Sequence, residues 1–456
     1  MSCLIDTIRE TSPEWQTQIN ELENAATISL LIMAAWQLAR VLAVRLVEEI
    51  LAERSQVKTE WELCPKCGKR LQSKGFKPRQ IKSIIGEVKW QRRLGRCPNK
   101  CASGQVAPLD KELGLTSNQK SDPSLQQVAC LLAIFVPFET AAMLLKQLTG
   151  SEVSGQAIWD WVQSVGQRMM KSLEAELKAL AAAELPETEV IRAEIAAQPL
   201  LMGADGVMVP FRPQAKTAAG KTKWREVKVA IFARLGQVRT RAGKLVPRLH
   251  RHRVVAVLGN IDDLSERMWL EGLKQGIKAA PQVVWLSDGA RGLWRLFDER
   301  FHPYATGVLD FYHTAQNVWS GVKVWLDGRT TRCQDWFTEA RHRLRHGQTS
   351  DVLADIKAAS ALPGLPASAQ QSLTKLYNYL DKHRDHIQYD KLKEMGFPIG
   401  SGLVESTCKW LIQQRFKGVG MRWSEDGFNH LLHLRLAWVN GRFDSFFPAS
   451  TPSPKS

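Results

Sequence analysis

The stretch Val283–His313, VVWLSDGARGLWRLFDERFHPYATGVLDFYH, decides how the chain folds. Its first residues, Val283-Val284-Trp285-Leu286, form an apolar, partly β-branched run short enough for a buried strand. Ser287-Asp288-Gly289 ends that strand and leaves a carboxylate at its tip. Leu293, Leu296, Phe297 and Phe301 then share one face of a helix. A second short strand, Thr306 to Leu309, runs into Asp310-Phe311-Tyr312-His313. Strand, helix and strand with acids at the strand ends is the pattern of a nucleotide- or metal-handling α/β core. Asp288 is its centre.

Upstream, LLMGADGVMVPFRP predicts a strand that bears Asp205 and ends at Pro210. The Lys/Gly/Ala-rich QAKTAAGKTK is a turn, and WREVKVAIFARL and HRVVAVLG are two further strands. LSERMWLEGLKQGI follows as a helix. Three strands, helix, strand, helix, strand is the order of an RNase H-like fold, which sets acids of the first and fourth strands side by side. Downstream, Thr314 to Lys393 is helical and basic, with WFTEARHRLRHGQ and QQSLTKLYNYLDKHRDHI as its clearest helices; it is an all-helical insertion. In GFPIGSGLVESTCKWLIQQRFKGVGMRW, the Gly400-Ser401-Gly402 turn precedes a helix with Glu405 in its first turn. HLLHLRLAWVNGRFDSFF is a last amphipathic helix, and TPSPKS a disordered tail.

The N-terminal half reads differently. Residues from about 19 to 54 predict one long helix, either a core helix or a dimerisation helix. Eight cysteines stand at 3, 64, 67, 97, 101, 130, 333 and 408, and two close pairs, Cys64-x-x-Cys67 and Cys97-x-x-x-Cys101, point to a metal. The segment between them, PRQIKSIIGEVKWQRRLGRC, alternates and turns at Gly86, a β-hairpin. Two knuckles joined by a hairpin predict a zinc ribbon with four thiolates around one structural Zn²⁺. The other four cysteines are expected to be structural. The hairpin is dense in Lys and Arg, including Arg79, Lys89, Arg92 and Arg93, which suits phosphate contacts. Residues 122 to 169 form helices in which Gly150 closes one and Ser154 caps the next. That pair fits helix-turn-helix geometry, with Ser154, Gln156, Trp159 and Gln163 as candidates to reach DNA. Residues 171 to 197 read as a connecting helix.

Composition agrees with a polyanionic partner. Lys plus Arg number 62 against 46 Asp plus Glu, a net +16. No signal peptide is read, and the apolar run from Ala25 to Trp36 is too short for a membrane span and is followed by Gln37, Arg40 and Arg45. A soluble cytoplasmic protein is expected. The segments are 1–60 N-terminal helix, 61–110 zinc ribbon, 111–198 helix-turn-helix-like region, 199–313 first part of the core, 314–395 insertion, 396–445 end of the core with the Glu helix, and 446–456 tail: a multidomain α+β chain.

Two strand-borne aspartates and a helix-borne glutamate match the needs of two-metal phosphoryl transfer. Their hard oxygens bind two Mg²⁺ (or Mn²⁺) ions and leave positions for water and phosphate. Singly, Asp205 reads equally as a turn residue, Asp288 as a helix N-cap and Glu405 as a favourable first-turn charge. Several motifs together resemble the ISKra family of bacterial insertion-sequence DDE transposases, distantly related to the Mutator and hAT types. They are ADG at 204–206, SDGARGLW at 287–294, LDFYH at 309–313, PIGSGLVESTCK at 398–409 and RFKGVGMRW at 415–423. The resemblance covers nearly the whole chain and includes a zinc-binding N-terminus. It implies Asp205, Asp288 and Glu405 as the catalytic acids, with Asp310-x-x-His313 as the accessory element in which His313 positions DNA or the second aspartate. It further implies cleavage at element ends, strand transfer into double-stranded target DNA, a homodimer or higher oligomer, and residence on the bacterial nucleoid. Gln156, Lys409, Arg415, Lys417 and Arg422 join the hairpin cations as candidate DNA contacts. Two other readings stay open: a catalytically silent transposase-derived DNA-binding protein, and an RNase H-like nuclease without strand transfer.

Overall fold

The computed structural model describes residues 15–101, 105–213 and 222–447. The chain divides into two compact units, one running to Val162 and the other from Gln163 to Phe446. Cys3, most of the QAKTAAGKTK turn and all but the first residues of the tail lie outside the described residues.

The first unit begins with two helices, α1 (Gln16–Glu23) and α2 (Ile28–Gln56), where the sequence predicted one. The apolar pattern runs through the junction, but Thr27 adopts an extended backbone and its Oγ accepts the Leu30 N–H at 3.2 Å, so α2 starts afresh from an N-cap. By length and composition alone α2 could cross a membrane, which the shorter apolar run read in the sequence did not suggest. One face of α2 packs against a hairpin of β1 (Gln72–Ser83) and β2 (Gly86–Arg96), closed at Ser83↔Gly86. Leu51, Ile81, Val88, Trp90 and Leu109 form the small core beneath it. A short strand β3 (Gln105–Val106) pairs with β2. Helix α3 (Pro108–Glu112) leads to α4 (Pro123–Phe135) and α5 (Phe138–Thr149), and α5 ends at Gly150 with φ +69°.

Ser154 Oγ accepts the Ala157 N–H at 3.2 Å and opens α6 (Gly155–Ala181), which continues into the second unit. The connecting helix expected to reach residue 197 therefore stops at Ala181. Pro186 follows, a residue that supplies no N–H, and only the short α7 (Ala193–Ala196) intervenes before the sheet.

The second unit is a mixed α/β body. Among the described residues its strands are β4 (Leu200–Phe211), β5 (Lys223–Arg239), β6 (Leu245–Val257), β7 (Val283–Ser287) and β8 (Thr306–Leu309), in the order β6-β5-β4-β7-β8. The pairs β4–β5 and β5–β6 are antiparallel, whereas β4–β7 and β7–β8 are parallel. Helix α8 (Ile261–Lys274), with Asn260 in a capping box, joins β6 to β7. Helix α9 (Arg291–Leu296) and the π-helical turn Phe297–Phe301 join β7 to β8. Trp285, Phe297 and Phe301 are wholly buried between sheet and helix, with Leu293 and Leu296 beside them. Five helices follow β8: α10 (Phe311–Trp325), α11 (Thr331–Arg345), α12 (Thr349–Ser360), α13 (Ala367–Lys382) and α14 (Tyr389–Glu394). Next comes α15 (Gly402–Thr407), which runs on through a π-helical turn, Cys408–Gln413, to Phe416. The last helix, α16 (Glu425–Val439), is shorter than predicted. Asn440 leaves it to bond both backbone groups of Val254 on β6, and Gly441 takes φ +68°.

A charged cluster ties the chain's crossings of this unit together. Glu189 accepts from Arg251 at 2.6 Å, from Arg253 at 2.9 Å and from Arg442, which also holds the buried Glu271 at 2.8 Å. Burial pushes the Glu189 carboxyl up, but Arg442, Arg253 and Gln275 outweigh it and bring it down to about 2. Its folded pKa is thus depressed, so its contribution is complete above the ordinary glutamate range and is lost as pH falls toward about 2. Glu189→Gln is expected to cost on the order of 3 kcal/mol at neutral pH and almost nothing near the acid end of that window. Urea unfolding of both proteins across that range checks it.

Candidate active site

Asp205 lies within β4, paired toward β5 with Val229. On its other side β4 runs parallel to β7, and the last paired residues are Gly203 and Leu286. Asp205 stands two residues beyond that pair within β4, and Asp288 two residues beyond it in the turn after β7. The parallel register puts both acids at the same end of the sheet, and the Asp288 charge is felt at Asp205. Asp205 Oδ1 accepts the Gly206 N–H at 2.6 Å. Asp288 Oδ1 accepts the Ala290 N–H at 3.0 Å, and its carbonyl accepts from Trp294 Nε1 at 2.7 Å, which fixes the turn after β7. Gly289 is required there: a Cβ would come within 2.5 Å of the Tyr379 ring, which reaches in from α13.

Glu405 comes from the first turn of α15, whose Val404 packs beside Gly203 of β4. Ser401 Oγ donates to Glu405 Oε1 at 3.1 Å. The turn that carries Ser401 is itself held by Asp310, a wholly buried carboxylate at the start of α10. One Asp310 oxygen accepts the His313 N–H at 2.6 Å and lies 3.2 Å from His313 Nδ1, and the other accepts the Ser401 N–H. Gly400 passes under Tyr312, where a Cβ would meet the ring at 2.6 Å.

Asp205, His313, Glu405, Cys408 and Lys409 are among the residues that line an open cavity of about 790 Å³; Asp288 is not one of them. Burial raises the Asp205 carboxyl; the Gly206 bond opposes that, the Asp288 charge adds to it, His313 opposes it and the Glu405 charge adds again. The charges of Asp288 and Glu405 thus both disfavour ionisation of Asp205, and a cation would relieve it. Cys408 lies 3.9 Å from Asp205, and burial with the charges of Asp205 and Glu405 pushes its thiol up to about 12. Donor atoms of Asp310, His313 and Glu405 also fall within 4.8 Å of one another. Asp310, however, spends both oxygens on protein N–H groups, which suits a brace better than a ligand.

The second candidate centre lies in the first unit. Cys64, Cys67, Cys97 and Cys101 bring their sulfurs within 4.8 Å of one another, with Cys67 and Cys97 3.4 Å apart. Gly68 takes φ +67° and Lys100 φ +51°, one left-handed residue per knuckle. Bonds from Cys67 and Cys97 hold the Cys101 thiol up at about 12; four clustered thiols of this kind yield their protons to a soft dication.

The candidate DNA contacts divide by exposure. Arg79 turns inward, its guanidinium donating to the carbonyls of Thr116, Ser117 and Gln119, and Arg92 pairs with the buried Asp110. Their side chains are only 9% and 14% exposed, so both hold the hairpin together and are withdrawn as phosphate contacts. Arg415 is likewise corrected: it is buried against Trp423, where burial and then Arg435 bring its pKa down to about 10. Alternating charge in a strand marks a basic face, but one guanidinium that folds back onto a loop looks the same in sequence. Lys89, Lys409, Lys417 and Arg422 are exposed, and Arg93 lies half-buried over Phe76. Gln156 is exposed and bonds Asp160, Trp159 packs on Phe138, and Gln163 meets His430 at 2.6 Å.

No family model matches the chain. It is 26% identical over 385 residues to the UPF0236 protein in the vanSb 3′ region of Streptococcus gallolyticus, covering 82% of this chain and 75% of that protein. Among solved structures, the Drosophila P element transposase strand transfer complex aligns with a TM-score of 0.34 and 10% identity over 72% of this chain and 94% of that one.

Proposed function

We propose that the chain is a DNA transposase of the DDE type, which cuts at insertion-sequence ends and transfers the freed strand into target DNA. One observation supports this reading: Asp205 and Glu405 line the same open cavity, and the charges of Asp288 and Glu405 both act on Asp205. The sheet order β6-β5-β4-β7-β8, antiparallel on one side and parallel on the other, supports an RNase H-like core. Asp205, Asp288 and Glu405 would hold Mg²⁺ or Mn²⁺, and bound ions would stabilise the attacking and leaving oxygens of a phosphoryl transfer. The protein's own part is orientation. Ser401 aims Glu405, Asp310 fixes both Ser401 and His313, and Lys409 supplies positive charge to the cavity where a phosphate would enter. The cysteine cluster, read as one structural Zn²⁺ site, would fold the first unit's DNA-binding surface. Ribbon and helical segments as DNA-binding parts, with residues 314–395 as an insertion into the core, belong to the same proposal.

Incubating the purified chain with DNA that carries the element's ends tests the reading. Strand cleavage that needs Mg²⁺ or Mn²⁺ and stops with chelator is expected; cleavage that ignores the chelator, or none with either ion, would count against it. Ser401→Ala should lower the cleavage rate by about 10- to 100-fold, the usual effect of removing a partner that orients a metal ligand. Rates measured across a Mn²⁺ titration would show the loss partly restored at high metal.

A further inference from the structure

From Ala34 onward helix α2 covers one face and leaves the opposite one bare, while its first turns, with Ile28, Leu30, Leu31 and Met33, are exposed all round. Ala34, Leu38, Leu51 and Ser55 are buried, and Val44 packs on the hairpin core. On the opposite side Ile32, Trp36, Leu46 and Ile50 are 59%, 53%, 60% and 51% exposed. With Ala39 and Ala43 between them, they repeat at alternate steps of four and three residues, the heptad spacing of a coiled-coil seam. In that register Trp36, Ala43 and Ile50 take a positions, and Ile32, Ala39 and Leu46 take d positions. The residues the chain covers itself fall at b, c and f, the outer face of an ordinary coiled coil.

We infer that this seam pairs α2 with α2 of a second copy of the chain, in parallel. The charges choose the partner and its direction. Glu49 falls at g and Arg54 at the following e, so a parallel pair sets Glu49 of one copy against Arg54 of the other, twice by symmetry. An antiparallel pair would place Glu49 opposite an apolar stretch instead. Both side chains are about half exposed; within its own chain Glu49 meets Arg45 at 3.0 Å and Arg54 lies a looser 3.8 Å from Glu112, exposed pairs that an exchange between copies would replace. The seam from Ile32 to Ile50 is about 27 Å long, short for a free coiled coil, but α2 is already ordered by its hairpin and pays no nucleation cost on pairing. The pairing depends on nothing assigned to the acidic site.

Sedimentation of the full chain at micromolar concentration is expected to show a dimer. Leu46→Glu with Ile50→Glu should yield a folded monomer, since both side chains are exposed. Glu49→Arg alone should weaken the dimer several-fold, and adding Arg54→Glu should restore it. Leu46→Cys should cross-link as a homodisulfide on oxidation, because parallel pairing places equal d positions face to face. A wild-type monomer, or a dimer indifferent to the Glu pair, would overturn the inference. So would a monomer that binds phosphatidylglycerol vesicles and loses them on Leu46→Glu, since the seam would then cover a lipid surface.

Discussion

Replacing Asp205 by Asn, Asp288 by Asn or Glu405 by Gln is expected to lower strand cleavage by about 10³-fold or more while leaving DNA binding within a few-fold of wild type. The asymmetry follows from the site. Each substitution keeps shape and hydrogen-bonding capacity but removes one of three charges that would share a cation, so chemistry suffers and the basic surfaces do not. The stability changes should differ in sign from an ordinary core mutation. Asp205 is raised by burial and by its acidic neighbours, so Asp205→Asn relieves a cost and should stabilise the metal-free protein slightly. A thermal melt with and without Mn²⁺ reads this: the wild type should gain stability from the metal and the Asn variant should not. Cleavage at the wild-type rate by any one variant would remove that residue from the site.

The second large effect concerns the cysteines. Cys64→Ser or Cys97→Ser should unfold the knuckle region and cost most of the DNA affinity. Both are buried, and with Leu71 they make a cluster too small to stand on apolar contacts alone. Structural Zn²⁺ contributes roughly 10–16 kcal/mol in small sites at neutral pH, far more than this cluster can replace. Metal analysis of freshly purified protein should find one zinc per chain, and exhaustive chelation should reproduce the Ser variants by circular dichroism. Protein without zinc, folded and binding DNA, would refute the assignment.

The candidate acids could be picked out along the chain because they sit where periodicity changes. Asp205 interrupts an apolar strand and Asp288 directly follows one, and the two strands pair in parallel. Glu405 was legible from the Gly400-Ser401-Gly402 turn. The brace around them was not. Asp310 meets Ser401, and Tyr379 reaches Gly289, only because α10, α13 and the turn before α15 fold back on the sheet, and nothing in their spacing announces it. Cys408, grouped with the scattered structural cysteines, lines the same cavity for that reason. The inward turn of Arg79 and Arg92 depends on a loop some forty residues away and on Asp110, a long-range arrangement that local charge patterns do not encode. Helix ends were misjudged where one residue outvotes a continuing pattern, as Thr27 does at α2 and Pro186 beyond α6.

The central claim is that Asp205, Asp288 and Glu405 together perform metal-dependent strand chemistry on DNA. The most direct measurement is strand transfer with Mg²⁺ or Mn²⁺: purified chain, DNA bearing pre-cut element ends with free 3′-hydroxyls, and a supercoiled target plasmid. Joined products from the wild type, abolished by chelator and absent with Asp288→Asn, are the predicted result. Joined products that persist with Asp288→Asn would contradict it. Metal-dependent nicking without any joining would leave a nuclease in place of a transposase.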